Sequence, residues 1–154
     1  MSKAIAVAVI CFSTWLAFGQ TQTSQPLNAK TGLWQITQTT TWTGLPPQYA
    51  AAMKNGQPKS YTSCIKAKDL SSNPWAEPGS HCAWTVLKSN GTDMETRGSC
   101  QQDDGTTADA HATIHLSDSE HGTGNVDLTL ANNGQTMKGH ATYTGKWLGA
   151  TCTQ

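Results

Sequence analysis

The five histidines are the first candidates for a functional site, because an imidazole can bind a metal ion or transfer a proton near neutral pH. His111 and His115 have the i, i+4 spacing with which two histidines on a helix chelate zinc. The residues around them alternate between apolar and polar, which favours a strand, and on a strand this spacing separates them by about 13 Å. We therefore interpret both as exposed polar residues of a strand.

The sequence contains no nucleophile elbow, no glycine loop that could cradle a phosphate and no paired-carboxylate motif. The cysteines form no CxxC pair of the kind that holds zinc. Ser/His/Asp triads assemble from distant positions, so a hydrolase that uses one of the histidines stays open as the least favoured function. We expect no cofactor, no metal and no catalytic residue that the sequence can name.

An apolar leader at residues 1–19 begins with the positive charge of Lys3 and ends in Ala17-Phe18-Gly19, which suits signal peptidase. It is too short for a stable membrane span, so we expect it to be removed on export, leaving a mature chain without a transmembrane segment. The protein would then work in the periplasm or outside the cell. Cys11 would leave with the leader.

An even number of cysteines remains, as expected for disulfides in an oxidising compartment. Four cysteines allow three connectivities. Cys82 and Cys100 are equidistant from Gly91, so a hairpin with a three-residue loop sets them opposite each other and leaves Cys64 to pair with Cys152. The main alternative pairs Cys64 with Cys82 and Cys100 with Cys152.

Apolar side chains cluster in and before the segment LPPQYAAAMKNG, where the two prolines can begin a short helix that Gly56 ends. This segment could cover one end of the sheet or form a contact surface. The residues proposed to contact a partner or ligand are Trp42, Pro46, Pro47, Tyr49 and Met53.

The rest of the chain alternates as antiparallel strands do. The cysteine hairpin places Trp84 across from Gly98, although a strict two-residue loop would shift the register by one. A later Asn-Gly turn pairs Leu128 with Gly139, and the register that it sets places the inward-facing residues of the two strands opposite each other. We predict a mainly β fold: an antiparallel meander of about seven strands in a strongly curved sheet or small barrel, with one short helix and two disulfides. A two-sheet sandwich is the alternative.

The predicted organisation is a polar lead-in at residues 20–30 followed by a single β domain at residues 31–154. Ten basic residues balance ten acidic ones, and the loss of Lys3 leaves a formal charge of about −1. Because no basic stripe could hold a phosphate backbone, the composition argues against nucleic acid as a partner.

Two motifs near the ends of the domain suggest a family. The early GLWQIT resembles the GLWE-type opening of an exported bacterial family, Domain of Unknown Function three-six-one-seven, with Gln35 in place of the usual acidic residue. The ending GKWLGATC resembles that family's G-x-W/R-L-G-x-x-C close, and the resemblance extends from about Thr31 to Cys152. It implies a location in the bacterial envelope and supplies no activity.

These observations favour a non-enzymatic binding or interaction module whose partner is an envelope component or a small apolar ligand. The alternative is a carrier that holds such a ligand inside the curved sheet, because small inward residues would leave room for it. The small inward residues are Ala108, Ala110, Ala112, Gly139 and Ala141.

Overall fold

The computed structural model describes residues 24–47, 56–76, 81–101 and 105–152. The predicted leader, most of the predicted helix and the candidate contact residues Tyr49 and Met53 lie outside these ranges. Within the described ranges, no helix has the length and apolar character needed to cross a membrane.

Seven antiparallel strands form one sheet within the described residues, as the alternation predicts. The strands are β1 (Gly32–Thr43), β2 (Pro58–Ile65), β3 (Cys82–Ser89), β4 (Asp93–Gln101), β5 (Thr107–Leu116), β6 (His121–Asn132) and β7 (Gln135–Gly149). One turn of 3-10 helix, Asp69–Ser71, lies between β2 and β3. The order across the sheet is β2-β1-β7-β6-β5-β4-β3, so the last strand lies between the first and the sixth.

The sheet is open and not strongly curled, so the predicted strongly curved sheet or small barrel is wrong, and the single sheet among the described residues also excludes the two-sheet sandwich. Its two edges are β2 and β3, which are consecutive in the chain. The reason lies in the segment that joins them. Residues 66–76 do not make a tight turn that would let β2 pair with β3; they place Leu70 and Trp75 in the core. The apolar face is therefore covered by a loop rather than by closure of the sheet.

One face of the sheet, called here the inner face, carries the core side chains, among them Trp34 and Ile36 of β1 and Ile114 of β5. The lead-in also covers it, because Leu27 is 2% exposed and its backbone N–H donates to Leu70 O at 2.9 Å. Polar residues alternate with these on the outer face, as expected for a sheet with one solvated side.

The register of the β3–β4 hairpin is the predicted one from Cys82 to Val86, and a β-bulge at Leu87 then shifts it by one, so that Ser89 pairs with Met94 and the predicted three-residue loop is not formed. Cys82 lies opposite Cys100, and Trp84 lies opposite Gly98. A Cβ atom at Gly98 would lie 2.8–2.9 Å from three neighbouring carbons of the six-membered ring of Trp84. The indole therefore rests with its face on the glycine, which a residue with a side chain would prevent.

Two further indoles rest on inner-face glycines in the same way. Trp42 lies opposite Gly139 across the β1–β7 ladder and covers it. Trp75 comes from the loop, and a Cβ at Gly122, Gly124 or Gly145 would in each case meet its six-membered ring. The glycines of β4, β6 and β7 thus form flat areas of the sheet on which tryptophan rings pack. The buried rings add apolar surface to a core that has few large aliphatic residues.

The two disulfides have the predicted pairing, Cys64–Cys152 and Cys82–Cys100, with sequence separations of 88 and 18 residues. The first connects the end of β2 to the residues that follow β7. In the structure β1 lies between them, pairing with β2 on one side and with β7 on the other. The Cys64–Cys152 bond therefore spans β1 and links an edge strand to the chain end that follows β7.

Candidate functional site

An apolar cavity of about 100 Å³ lies on the inner face, over the middle of β5 and β6. Small side chains create it. Ala110 and Ala112 of β5 face the same side of the sheet as Val126 of β6, and all three are buried. Because an alanine projects only one carbon above the backbone, these positions leave a shallow space where larger residues would fill the core.

Larger apolar groups surround this floor. The walls include Trp75 from the loop, Trp84 from the edge strand β3, and the Cys82–Cys100 disulfide. Leu128 and Tyr143 complete the boundary on the side of β6 and β7. Of the small inward residues predicted to leave room, Ala110 and Ala112 line the cavity; Gly139 does not, because Trp42 covers it.

Among the described residues, the cavity lining contains no Asp, Glu, Lys, Arg or His. The polar side chain of Asn73 at its border is engaged by the backbone, since its Oδ1 accepts the Trp75 N–H at 3.2 Å. Two buried polar atoms lack a hydrogen-bond partner among the described residues, Trp84 Nε1 and Thr96 Oγ1. Neither is accessible to water, so neither offers a contact to a ligand in this conformation. The described lining is therefore suited to apolar groups.

Trp75 is a wall residue whose position no pattern in the sequence predicts, because residues 66–76 have neither the periodicity of a strand nor that of a helix. Its backbone N–H and carbonyl are both engaged, the carbonyl by Tyr61 Oη at 3.1 Å. Its indole lies 6.4 Å from that of Trp34, centroid to centroid. A tryptophan within a polar loop was the one signal that this segment contributes to the core.

Four of the five histidines lie elsewhere, partly exposed and each beside a carboxylate. On the outer face, ring nitrogens of three histidines lie 2.7 Å from a carboxylate oxygen, in the pairs His111–Glu95, His115–Asp93 and His140–Asp127. At the start of β6, the Nδ1 atom of His121 lies 3.1 Å from the Oδ2 atom of Asp118 in the preceding turn. No hydrogen bond between the described residues joins a serine or threonine hydroxyl to a histidine ring.

Two of these carboxylates have perturbed acidities. The hydrogen bond with His115, reinforced by Thr92 and Asn90, lowers the pKa of Asp93 below its ordinary value of 3.8. The pKa of Asp118 is lowered chiefly by the backbone N–H of Glu120. Both side chains act as hydrogen-bond acceptors that fix turns. Within the described ranges, no three metal-binding side chains come together.

Of the predicted contact residues, the structure describes Trp42, Pro46 and Pro47. The indole of Trp42 is half-buried and covers Gly139, Pro46 is half-buried and Pro47 is exposed. None of them lines the cavity, so this candidate surface and the cavity are separate features.

The two terminal motifs meet at one place. Trp34 lies opposite Trp147 in the β1–β7 ladder, and its indole N–H donates to Lys30 O at 2.8 Å. The Trp147 indole donates to Thr31 O at 3.1 Å. A Cβ at Gly32 would collide with the Gly149 carbonyl. These motif residues therefore join the first and last strands, which is a structural role.

A family model described as "Protein of unknown function (DUF3617)" matches residues 29–152, nearly all of the part that the structure describes. The matched region begins just before the first motif and ends at Cys152, so it contains the sheet, both disulfides and the cavity. No curated protein and no solved structure matches the chain.

Proposed function

The chain belongs to the DUF3617 family, whose description carries no activity, and we propose from the site itself that this member is an exported, non-enzymatic module that binds a small apolar ligand. The observation that carries the proposal is the cavity between Trp75 and Trp84. Its floor is alanine and valine, and none of the described residues that line it is charged.

The surroundings of the cavity favour binding over incomplete packing. Both indole walls rest on glycines, and the Cys82–Cys100 disulfide fixes the edge strand that carries Trp84. A cavity held open by fixed walls loses little conformational entropy when a ligand enters. Any apolar surface that the ligand removes from water then contributes directly to affinity, at about 0.8 kcal/mol per CH₂ group.

Export to the periplasm or the outside of the cell is part of the proposal. Two disulfides support it, because such bonds persist in oxidising compartments. A location in the envelope would give the module access to apolar molecules there. The order of events is export, disulfide formation and then binding, since one disulfide forms part of the cavity wall.

The test is to fill the cavity and ask whether a ligand is lost. Ala112→Leu projects a larger side chain from the cavity floor, and Ala83→Leu makes the same change at an exposed position on β3. The wild-type protein and both variants are purified gently from the native envelope and compared by native mass spectrometry. We expect bound mass on the wild type and on Ala83→Leu, and bare protein for Ala112→Leu.

Circular dichroism and the thermal midpoint establish that each variant folds. If Ala112→Leu does not fold, Ala110→Val fills the same floor with a smaller addition. Repeated recovery of bare wild-type protein from the envelope would contradict the proposal, and so would bound mass that Ala112→Leu retains.

A further inference from the structure

We propose that Asn133 is a site of spontaneous modification, at which water converts the side-chain carboxamide to a carboxylate through a cyclic imide. The residue that follows it, Gly134, has no side chain to hinder the approach of its backbone nitrogen to the carboxamide. The sequence contains two other Asn-Gly pairs, Asn90-Gly91 and Asn55-Gly56. The three pairs differ in how firmly their reacting groups are held, and this difference selects Asn133.

The reaction joins the backbone nitrogen of Gly134 to Cγ of Asn133. The nitrogen gives its proton to hydroxide and attacks Cγ. The N–Cγ bond forms, the Cγ–Nδ2 bond breaks, and ammonia leaves with a proton taken from water. Water then opens the five-membered imide ring. It yields aspartate if the new N–Cγ bond breaks, and isoaspartate if the original peptide bond of Asn133 breaks.

Asn133 lies exposed in the turn between β6 and β7, with a φ of 48° in the left-handed region. Among the described residues, its carboxamide makes no hydrogen bond, and the Gly134 N–H donates to no backbone carbonyl. A Cβ at Gly134 would meet no atom within 4 Å. Ring closure requires Asn133 to rotate out of its turn conformation. A local opening of the turn permits this without breaking any hydrogen bond of the carboxamide.

The carboxamide of Asn90 is held in place. Its Oδ1 accepts the backbone N–H groups of Thr92 at 3.0 Å and Asp93 at 2.7 Å, and the Thr92 hydroxyl at 3.1 Å. Its Nδ2 donates to Asp93 Oδ2 at 3.2 Å. The Gly91 carbonyl in turn accepts the Asn28 N–H at 2.7 Å. Turning the carboxamide towards the Gly91 nitrogen breaks several of these bonds, so ring closure should be slow.

The third pair is restrained at its glycine. The Gly56 N–H donates to Thr40 O at 2.8 Å, so the nitrogen that would attack is already engaged with β1. Asn55 itself lies outside the described residues. We expect this pair to react more slowly than Asn133, because the hydrogen bond must break before the nitrogen can lose its proton.

Modification would change the turn that sets the register of β6 and β7. This turn places Asn132 opposite Gln135 and, farther along the ladder, Leu128 opposite Gly139. Isoaspartate lengthens the main chain of the turn by one carbon, and both products add a negative charge. The modified protein can therefore be separated from the original by anion exchange, and the altered peptide can be identified by its mass.

The experiment incubates protein purified from its native envelope at mildly alkaline pH, either folded or in concentrated urea. Peptides that contain each Asn-Gly pair are then followed by mass spectrometry. In the folded protein, we expect Asn133 to react at least about tenfold faster than Asn90, because ring closure at Asn90 must break several hydrogen bonds. Asn55 should also react more slowly than Asn133. In urea, where these contacts are lost, the three pairs should react at similar rates.

The control variant is Asn133→Gln, whose longer side chain does not close a five-membered ring with the next nitrogen. Circular dichroism establishes that it folds, and anion exchange should show much less acidic protein than in the wild type. If folded Asn90 or Asn55 reacts as fast as Asn133, the inference is overturned. If the order of rates in the folded protein persists in urea, the neighbouring sequence sets it and the structural argument fails. Acidic protein that Asn133→Gln forms at the wild-type rate would also refute the assignment. The result does not depend on whether the cavity binds a ligand.

Discussion

The two disulfides should contribute unequally to stability, and the difference can be derived from the chain lengths that they close. The Cys64–Cys152 bond closes a separation of 88 residues and the Cys82–Cys100 bond one of 18. In the chain-entropy model, these loops correspond to about 4.6 and about 3.2 kcal/mol of stabilisation at room temperature. Removing the long-range bond should therefore cost about 1.4 kcal/mol more than removing the hairpin bond.

The native contacts around each bond explain why the difference in stability between the two variants should come mainly from the entropy of the unfolded chain. Without its disulfide, β3 keeps its hairpin pairing with β4 and the packing of Trp84 on Gly98. Without Cys64–Cys152, β7 keeps the ladders that it forms with β1 and β6. Since neither loss removes a strand from its neighbours, each mainly frees the unfolded chain.

The assay is equilibrium urea unfolding of the two double variants, C64S/C152S and C82S/C100S, which avoid leaving a lone thiol. With a slope of about 2 kcal/mol per molar, the midpoint of C64S/C152S should lie about 0.7 M below that of C82S/C100S. Far-ultraviolet circular dichroism should be the same for both variants before unfolding. A lower midpoint for C82S/C100S would refute the reasoning and would show that the edge hairpin depends on its disulfide for its native packing.

Gly145→Ala should destabilise the fold by about 1–3 kcal/mol, because its Cβ would lie 2.8 Å from the ring of Trp75; Gly149→Ala, on the same strand with no atom within 4 Å, is the control. Similar thermal midpoints for the two variants would contradict this. The lowered pKa of Asp93 contributes stability above its ordinary value of 3.8, and this is lost as the pH falls through the lowered pKa. Asp93→Asn should therefore weaken the acid-side decline in urea midpoint, and an unchanged decline would argue against the His115 contact.

The amino-acid sequence by itself determined the features that depend on neighbours along the chain. Alternation fixed which face of each strand is buried, and an Asn-Gly turn fixed the pairing of Leu128 with Gly139. The equal distances of Cys82 and Cys100 from Gly91 determined the pairing of these two cysteines and, by elimination, the second disulfide, but not the β-bulge that shifts the register near the turn. Local turn chemistry and pattern agree at these places, so short-range physics is sufficient.

Only the tertiary structure decided whether the sheet closes and where its cavity lies. Both depend on the path of residues 66–76, whose backbone has no periodic pattern and whose position is set by contacts with distant strands. Trp75 lies on glycines of β6 and β7, and the cavity remains between it and Trp84, beside Ala110 and Ala112. The alanines were predictable as inward residues, but the cavity above them was not. The position of a cavity depends on which side chains from distant parts of the chain pack around it, and such long-range packing cannot be read from a local sequence pattern.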